Sequence, residues 1–255
     1  MDITQFDLTG KVAVVTGSTK GIGLSLALGL ADRGADLVVT SRSQPDCEAV
    51  CAKIRGLGRR ALARSCDVTS RRSVEELADA AVREFGRVDI LVNNAGTAIT
   101  KAAEELTEED WDKVVDVDLK GVFFCSVVFG RQMIAQGGGK IINIASILGL
   151  VGDKQVLPYC VAKGGVVQMT RALALEWAKH NIQVNALCPG YVKTTMNEAD
   201  IVANERIYKH IVGKTPMRRL GEVGELVGPL VFLASDASSY MTGQTLVIDG
   251  GWTAE

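Results

Sequence analysis

Short apolar runs alternate with longer amphipathic stretches along this chain, and that alternation predicts its elements. Strands are expected at 11–16, 36–40, 60–66, 88–92, 140–144, 182–187 and 245–248, where Val, Ile and Leu cluster over four to seven positions. Between them, helical spacing covers 21–33, 46–57, 70–85, 107–136, 157–180 and 222–233. Ser70 and Thr107 stand where N-caps belong, Thr107 opening T-E-E-D-W. Gly23, Ala27 and Ala31 recur every fourth residue, so that face of the first helix can lie close to a sheet. Val166, Thr170, Leu173 and Trp177 form the packing stripe of the 157–180 helix. Seven strands joined by helical crossovers imply an α/β fold, a doubly wound parallel sheet of Rossmann type with helices on both faces. No linker or repeat interrupts it, so residues 1–255 are expected to form a single domain.

Composition narrows the function classes. The 255 residues include 27 glycines, are 47% hydrophobic and carry a formal charge of −2. That composition suits a globular enzyme. It offers no basic footprint for nucleic acid and no polybasic membrane patch. The opening M-D-I-T-Q-F-D-L-T-G-K lacks a signal-peptide pattern, and no apolar run reaches the roughly 20 residues of a membrane span. Six scattered cysteines form no C-x-x-C, and His180 and His210 are the two histidines. No metal site is expected, and a reducing cytoplasm is the expected compartment. Cys160 has no histidine at useful spacing and reads as a packed residue.

The candidate chemistry lies between Ser146 and Lys163. Tyr159 and Lys163 are one helical turn apart and share a face. Ser146 follows the strand at 140–144. A phenol beside an ammonium and a hydroxyl can move the proton of a carbonyl or an alcohol. A phenol titrates near pH 10, so its use near neutrality requires its anion to be stabilised by on the order of 4 kcal/mol. Lys163 can supply this as a fixed charge, and Ser146 can hold the reacting oxygen. Upstream, T-G-S-T-K-G-I-G (16–23) joins the first strand to the first helix. Its glycines permit a sharp turn and close approach of a pyrophosphate, and the helix N-terminus favours the anion.

T-G-x-x-x-G-x-G, N-N-A-G at 93–96, a serine after the fifth strand, Y-x-x-x-K at 159–163 and P-G at 189–190 occur in order over the whole chain. Together they resemble the short-chain dehydrogenase/reductase family. The resemblance implies hydride transfer between a nicotinamide cofactor and a carbonyl carbon, with Tyr159 as acid/base and Lys163 and Ser146 assisting. It implies cofactor contacts from Gly17, Ser18, Thr19, Lys20, Ile22 and Gly23, with Tyr159 and Lys163 also reaching the cofactor. Asp67 and Val68 would hold the adenine, an Asp67 that merely caps its own turn being the other reading. Asn94, Ala95 and Gly96 would line the cofactor, and Asn93 could instead stitch strands. Pro189, Gly190, Val192 and Thr194 would meet the nicotinamide. Past the second strand stands Thr40-Ser41-Arg42-Ser43, with no acid. Ser41, Arg42 and Lys20 therefore point to NADP(H) over NAD(H).

One position departs from the family pattern: an asparagine is usual where this chain has Asp118. A carboxylate there would raise the Lys163 pKa and blunt its pull on Tyr159, and it cannot donate. Asp118 is accordingly grouped with Ser146, Tyr159 and Lys163. A segment at about 193–216 is expected to be lid-like. F-D-L-T-G-K and Y-C-V-A-K-G-G-V resemble the branch of gluconate 5-dehydrogenases, other sugar or polyol dehydrogenases and 3-oxoacyl-carrier-protein reductases. The expected substrate is a small polar hydroxy compound. The carrier-protein alternative needs a basic surface, for which Arg131, Arg171, Arg218 and Arg219 are candidates. A non-catalytic nucleotide sensor is the alternative of another class. The resemblance also implies a homotetramer.

Overall fold

The computed structural model describes residues 3–194 and 204–254. Seven parallel strands form one sheet: β1 (Val12–Thr16), β2 (Asp36–Thr40), β3 (Ala61–Ala63), β4 (Ile90–Asn93), β5 (Gly139–Ile144), β6 (Ile182–Pro189) and β7 (Thr245–Ile248). Their spatial order is β3-β2-β1-β4-β5-β6-β7. The chain therefore reverses its direction of winding between β1 and β4, and the crevice beyond the carboxyl ends of these strands is where such sheets bind ligands. Val12–Thr16 and Ile90–Asn93 are buried throughout. Strands covered on both faces must be continuously apolar, which explains the runs seen in the sequence.

Helices α1 (Gly21–Asp32) and α2 (Gln44–Gly56) cover one face together with a later helix, Val227–Ala234. On the other face lie α3 (Arg71–Phe85), α5 (Gly121–Gln136) and α6 (Leu157–Trp177), with α4 (Glu108–Val115) packed against α6. Leu26, Leu30, Leu37, Ile54 and Ile90 fill the first core; Leu77, Leu91, Phe129, Met133 and Ile141 fill the second. Each such side chain contributes about 1.5–3 kcal/mol. The Ser70 and Thr107 hydroxyls accept the Ser73 and Asp110 N–H groups at 3.3 and 3.2 Å, as the cap positions predict. Gly130 leaves the space into which the Trp177 ring packs; a Cβ there would lie 2.6 Å from it.

Several expectations need correction. The helix expected over 107–136 is not continuous, because a π turn at Asp116–Lys120 separates α4 from α5. The strand expected at 60–66 contracts to Ala61–Ala63, although the Arg64 and Cys66 N–H groups still donate to the Val39 and Ser41 carbonyls at 3.1 and 2.8 Å. The helix expected at 222–233 begins as a 3-10 turn, Val223–Leu226. The lid-like expectation for the segment at 193–216 is not contradicted; the segment contains a regular helix, α7 (Glu205–Lys214), capped by the Asn204 side chain. Residues 195–203 of the expected lid lie outside the described residues. Val192–Lys193 also pairs with Gly221–Glu222 in a small parallel ladder that the hydrophobic pattern does not signal.

Candidate active site

The glycine turn is shaped by close contacts. Gly17 and Gly21 have φ of +63° and +53°, a region that side chains with a Cβ rarely enter. A Cβ on Gly23 would lie 2.3 Å from both the Gly17 carbonyl oxygen and Asn94 Nδ2. Asn94 Nδ2 donates to the Thr16 and Gly17 carbonyls at 2.9 and 3.1 Å. The Asn94 and Ala95 N–H groups converge on Thr16 Oγ1 at 2.9 and 3.0 Å. Asn94 thus clamps the turn to the end of β4, and Thr16, the first residue of the motif but without an assigned role in it, is the hub of the clamp. Ser18 is fully buried and joins β1 to β2: its N–H donates to the Thr40 carbonyl at 3.1 Å, and its Oγ accepts from Thr40 N–H at 3.0 Å. Thr19 and Ile22 are half-buried in the same turn.

Asn93 stitches strands. Its Nδ2 donates to Asn143 Oδ1 at 2.8 Å and to Ser126 Oγ at 3.0 Å. Asp67 is exposed, and its Oδ1 accepts the Thr69 N–H and hydroxyl at 3.0 and 2.8 Å, so it does cap its own turn. Val68 is buried against the position of Gly121. The Ser41 hydroxyl lies between Ser43 and Cys47. Arg42 and Lys20 are exposed, and neither side chain has a hydrogen-bond or ion-pair partner among the described residues. Arg60, Arg71 and Arg72, by contrast, are each bonded to a glutamate. The two unneutralised cations and the glycine cradle fit a phosphorylated dinucleotide.

Across the crevice, the strand end of β5 leads to Ser146, which is buried and caps the 3-10 turn Ile147–Gly149 by accepting Leu148 N–H at 3.1 Å. Its hydroxyl hydrogen bonds with the Tyr159 phenol. Helix α6 presents the half-buried Tyr159 from its first turn, where the helix dipole favours an anion. Lys163 follows one turn later, 4% exposed, with Nζ 5.4 Å from the Tyr159 ring centroid and donating to the Ile144 carbonyl at 3.0 Å. Glycines make this packing possible. A Cβ on Gly149 would lie 2.6 Å from the Lys163 carbonyl oxygen, and one on Gly165 would lie 2.9 Å from Leu119.

The π turn carries Asp118 inward. A π turn widens a helix by one residue and re-aims its side chains. Asp118 is fully buried, with Oδ1 accepting Thr97 N–H at 2.7 Å and Oδ2 3.1 Å from Lys163 Nζ. A Cβ on Gly96 would meet Oδ2 at 2.9 Å, so the last glycine of N-N-A-G makes room for this carboxylate. Burial pushes the Asp118 carboxyl upward, while Lys163 and Thr97 pull it back. Burial acts to lower the Lys163 ammonium, but Asp118 and then Tyr159 outweigh it, so lysine is held above its ordinary value. The Tyr159 phenol lies above its ordinary value: burial and Asp118 raise it, and Lys163 and the Ser146 hydroxyl lower it. Ser146, Tyr159, Lys163 and Asp118 are therefore brought together. Pro189 ends β6 and Gly190 follows it beside Asp249, whose Cα would lie 2.8 Å from a Cβ on Gly190. Val192 is buried there, and Thr194 lies 3.8 Å from a Cβ built on Gly21, facing the glycine turn.

A doubly wound sheet whose switch point holds a glycine cradle, facing a phenol backed by a buried ammonium, defines a dinucleotide-dependent oxidoreductase. A family model described as enoyl-(acyl carrier protein) reductase matches residues 17–253. The chain belongs to that family, within the short-chain dehydrogenases/reductases. It is 46% identical to the 2-dehydro-3-deoxy-D-gluconate 5-dehydrogenase of Escherichia coli K12, over 100% of both chains. It is 37% identical to a 3-oxoacyl-[acyl-carrier-protein] reductase of Thermotoga maritima, over 96% of this chain and 98% of that one. A gluconate 5-dehydrogenase from Burkholderia cenocepacia J2315, solved in complex with NADP and tartrate, superposes over 100% of both chains with a TM-score of 0.97 and 38% identity. Among the described residues no helix is long and apolar enough to cross a membrane, and no group of histidine, cysteine and carboxylate side chains is placed to hold a metal ion.

Proposed function

We propose that this protein is an NADP(H)-dependent oxidoreductase of the cytoplasm that interconverts a ketone and a secondary alcohol on a sugar acid, within a single catalytic and dinucleotide-binding domain. The observation that carries the proposal is the buried Lys163 ammonium one turn from Tyr159, with Ser146 beside them at the carboxyl edge of the sheet. When bound, the nicotinamide supplies or accepts the hydride. The Tyr159 phenol gives its proton to the alkoxide oxygen in reduction and takes it back in oxidation. Ser146 donates a hydrogen bond to that oxygen and holds it within reach of the phenol. Lys163 stabilises the phenolate and binds the nicotinamide ribose.

Gly17, Ser18, Thr19, Ile22 and Gly23 form the pyrophosphate cradle, with Asn94, Ala95 and Gly96 along its side. Asp67 and Val68 flank the adenine, and Pro189, Gly190, Val192 and Thr194 hold the nicotinamide end. Ser41, Arg42 and Lys20 take the 2′-phosphate. Support for the substrate class comes from the sugar-acid dehydrogenases among the relatives. The carrier-protein reading is less well supported by the surface: Arg219 is paired with Glu225 at 2.6 Å, and Arg218 turns to the Gly213 carbonyl. A panel of gluconate-type acids, ketoses, polyols and 3-oxoacyl thioesters, followed at the nicotinamide absorbance with both cofactors, tests the proposal. Highest efficiency on a hydroxy acid with NADP(H) is expected. Arg42→Ala combined with Lys20→Ala should reduce the preference for NADP over NAD by about tenfold or more, the scale of one lost charge-assisted contact. An unchanged preference removes both residues from that role.

The homotetramer is proposed on family resemblance, and exposed apolar side chains on two helices support it. Phe123 on α5 and Leu157, Val161 and Leu175 on α6 are all more than 40% exposed, apolar surface that a partner subunit would cover. Light scattering should return four times the chain mass, and Phe123→Asp should lower it. A monomeric wild type ends this part of the proposal.

A further inference from the structure

A polar cluster outside the catalytic group lies at the mouth of the same crevice. Asp153 belongs to the segment that joins Ser146 to Tyr159, and Tyr191 directly follows Pro189-Gly190 at the end of β6, the neighbour of β5. The Tyr191 hydroxyl donates to Asp153 Oδ2 at 2.6 Å, bridging the two loops. The other carboxylate oxygen accepts Lys154 N–H at 2.7 Å. The Tyr191 ring packs on Trp252, centroids 4.9 Å apart and tilted by 54°. Lys214, at the end of α7, holds its ammonium 5.3 Å from the Trp252 ring centroid and has no carboxylate partner among the described residues. On the opposite side, the Gln155 carbonyl accepts Lys101 N–H at 2.7 Å, with Gln155 at a φ of +63°. The loop bearing Asp153 is thus tied on both flanks, and its carboxylate is held in place without a counter-cation.

The hydrogen-bond inventory of this cluster is one-sided. Tyr191 has committed its only hydrogen to Asp153, and burial together with that bond keeps its phenol protonated well above the ordinary range. What remains on the Tyr191 oxygen and on both Asp153 oxygens is lone pairs, so the pair can only accept. Such a surface favours ligands rich in O–H donors and disfavours esters, thioesters and carboxylates, which bring acceptors. Lys214 is the complement, a cation without an anion.

We infer that Asp153 and Tyr191 form a hydroxyl-reading wall of the substrate site and that Lys214, steadied on Trp252, receives the carboxylate at the far end of a polyhydroxy acid. This rests on the sugar-acid reading above and assigns its recognition to particular atoms. The tilted Tyr191–Trp252 contact lies between the two polar ends, so a ligand that engages both must pass over it. It also gives a physical reason for selecting against a 3-oxoacyl thioester, which has no hydroxyl to donate to the wall and no carboxylate for Lys214.

The test is steady-state kinetics of the full chain with NADPH or NADP on three substrates: a polyhydroxy acid, a neutral polyol or ketose of equal length, and a simple cyclic ketone or alcohol. Tyr191→Phe and Asp153→Asn should lower the efficiency on both polyhydroxy substrates, relative to the simple one, by about tenfold, chiefly through KM; tenfold is the scale of one hydrogen bond to a charged group. Lys214→Gln should lower the ratio of acid to neutral polyol by a similar factor and leave the ratio of neutral polyol to simple substrate unchanged. NADPH affinity, read from its fluorescence, confirms that each variant is folded. Equal losses on all three substrates would mean that the Asp153–Tyr191 bond merely ties loops together, and would overturn the inference, as would no loss on any. A wild type that leaves every polyhydroxy acid untouched overturns the sugar-acid reading and this inference with it, whereas turnover by wild type with flat ratios in the variants overturns this inference alone.

Discussion

Tyr159→Phe is expected to leave a folded, NADPH-binding protein whose kcat falls by about 10³-fold, the middle of the range for loss of a positioned acid/base. The substitution removes one oxygen and keeps the ring that packs near Lys163. Stability and cofactor affinity should therefore barely move, while the proton has no donor. Ser146 cannot substitute, because an aliphatic hydroxyl is a far weaker acid than a phenol and can only hydrogen-bond the reacting oxygen. Thermal melting and NADPH fluorescence separate the chemical loss from misfolding. Near-normal turnover in Tyr159→Phe would end the assignment of Tyr159.

The second large effect concerns Asp118. Replacing it by alanine strands Lys163 in a buried site with only the Ile144 carbonyl as partner, and leaves Thr97 N–H unpaired. Breaking a buried pair from one side costs on the order of 3 kcal/mol, and the melting temperature should fall by roughly 10 °C. Asparagine separates the charge from the scaffold: its carbonyl still accepts from Thr97, but no negative charge remains. Asp118 is one of the groups that raise the Tyr159 phenol. Removing its charge must lower that pKa. Oxidation requires the phenolate, so the acid limb of its pH–rate profile should move to lower pH in Asp118→Asn. Reduction requires the phenol, so its loss at high pH should also begin at lower pH. A profile that matches wild type would show that Asp118 only props the helix.

The functional glycines show how much of the site was legible in advance. Gly17 and Gly23 stand out because a strand, a tight turn and a helix surround them, and the sheet places that turn at its switch point as the alternation implies. Tyr159 and Lys163 are legible as a pair because one helical turn separates them. Gly96 and Gly149 are not legible in the same way. Each is needed because a group distant in sequence, Asp118 or the Lys163 carbonyl, lies where a Cβ would be. Thr16 opens the motif, but its role as a hub is not legible until the fold brings the Asn94 and Ala95 N–H groups beside its hydroxyl. The break in the 107–136 helix was missed because the amphipathic pattern continues through the π turn, and one inserted residue changes the backbone without changing the composition.

The lone Ser146–Lys163 stretch supplies the chemistry, and its setting supplies the control over it. By itself the sequence determined the order and kind of elements, the caps, the cofactor turn and the one-turn spacing of phenol and ammonium. All of these follow from neighbours within a few positions, where periodicity, propensity and capping act. The tertiary structure alone decided that Asp118 faces Lys163 at 3.1 Å, that Tyr191 reaches Asp153 at 2.6 Å, and that Arg42 and Lys20 stay unpaired beside the cradle. Those outcomes depend on burial and on pairing between residues tens of positions apart. Electrostatics at such sites is set by which charge lies next to which in a water-poor interior, and the linear pattern holds no record of that adjacency.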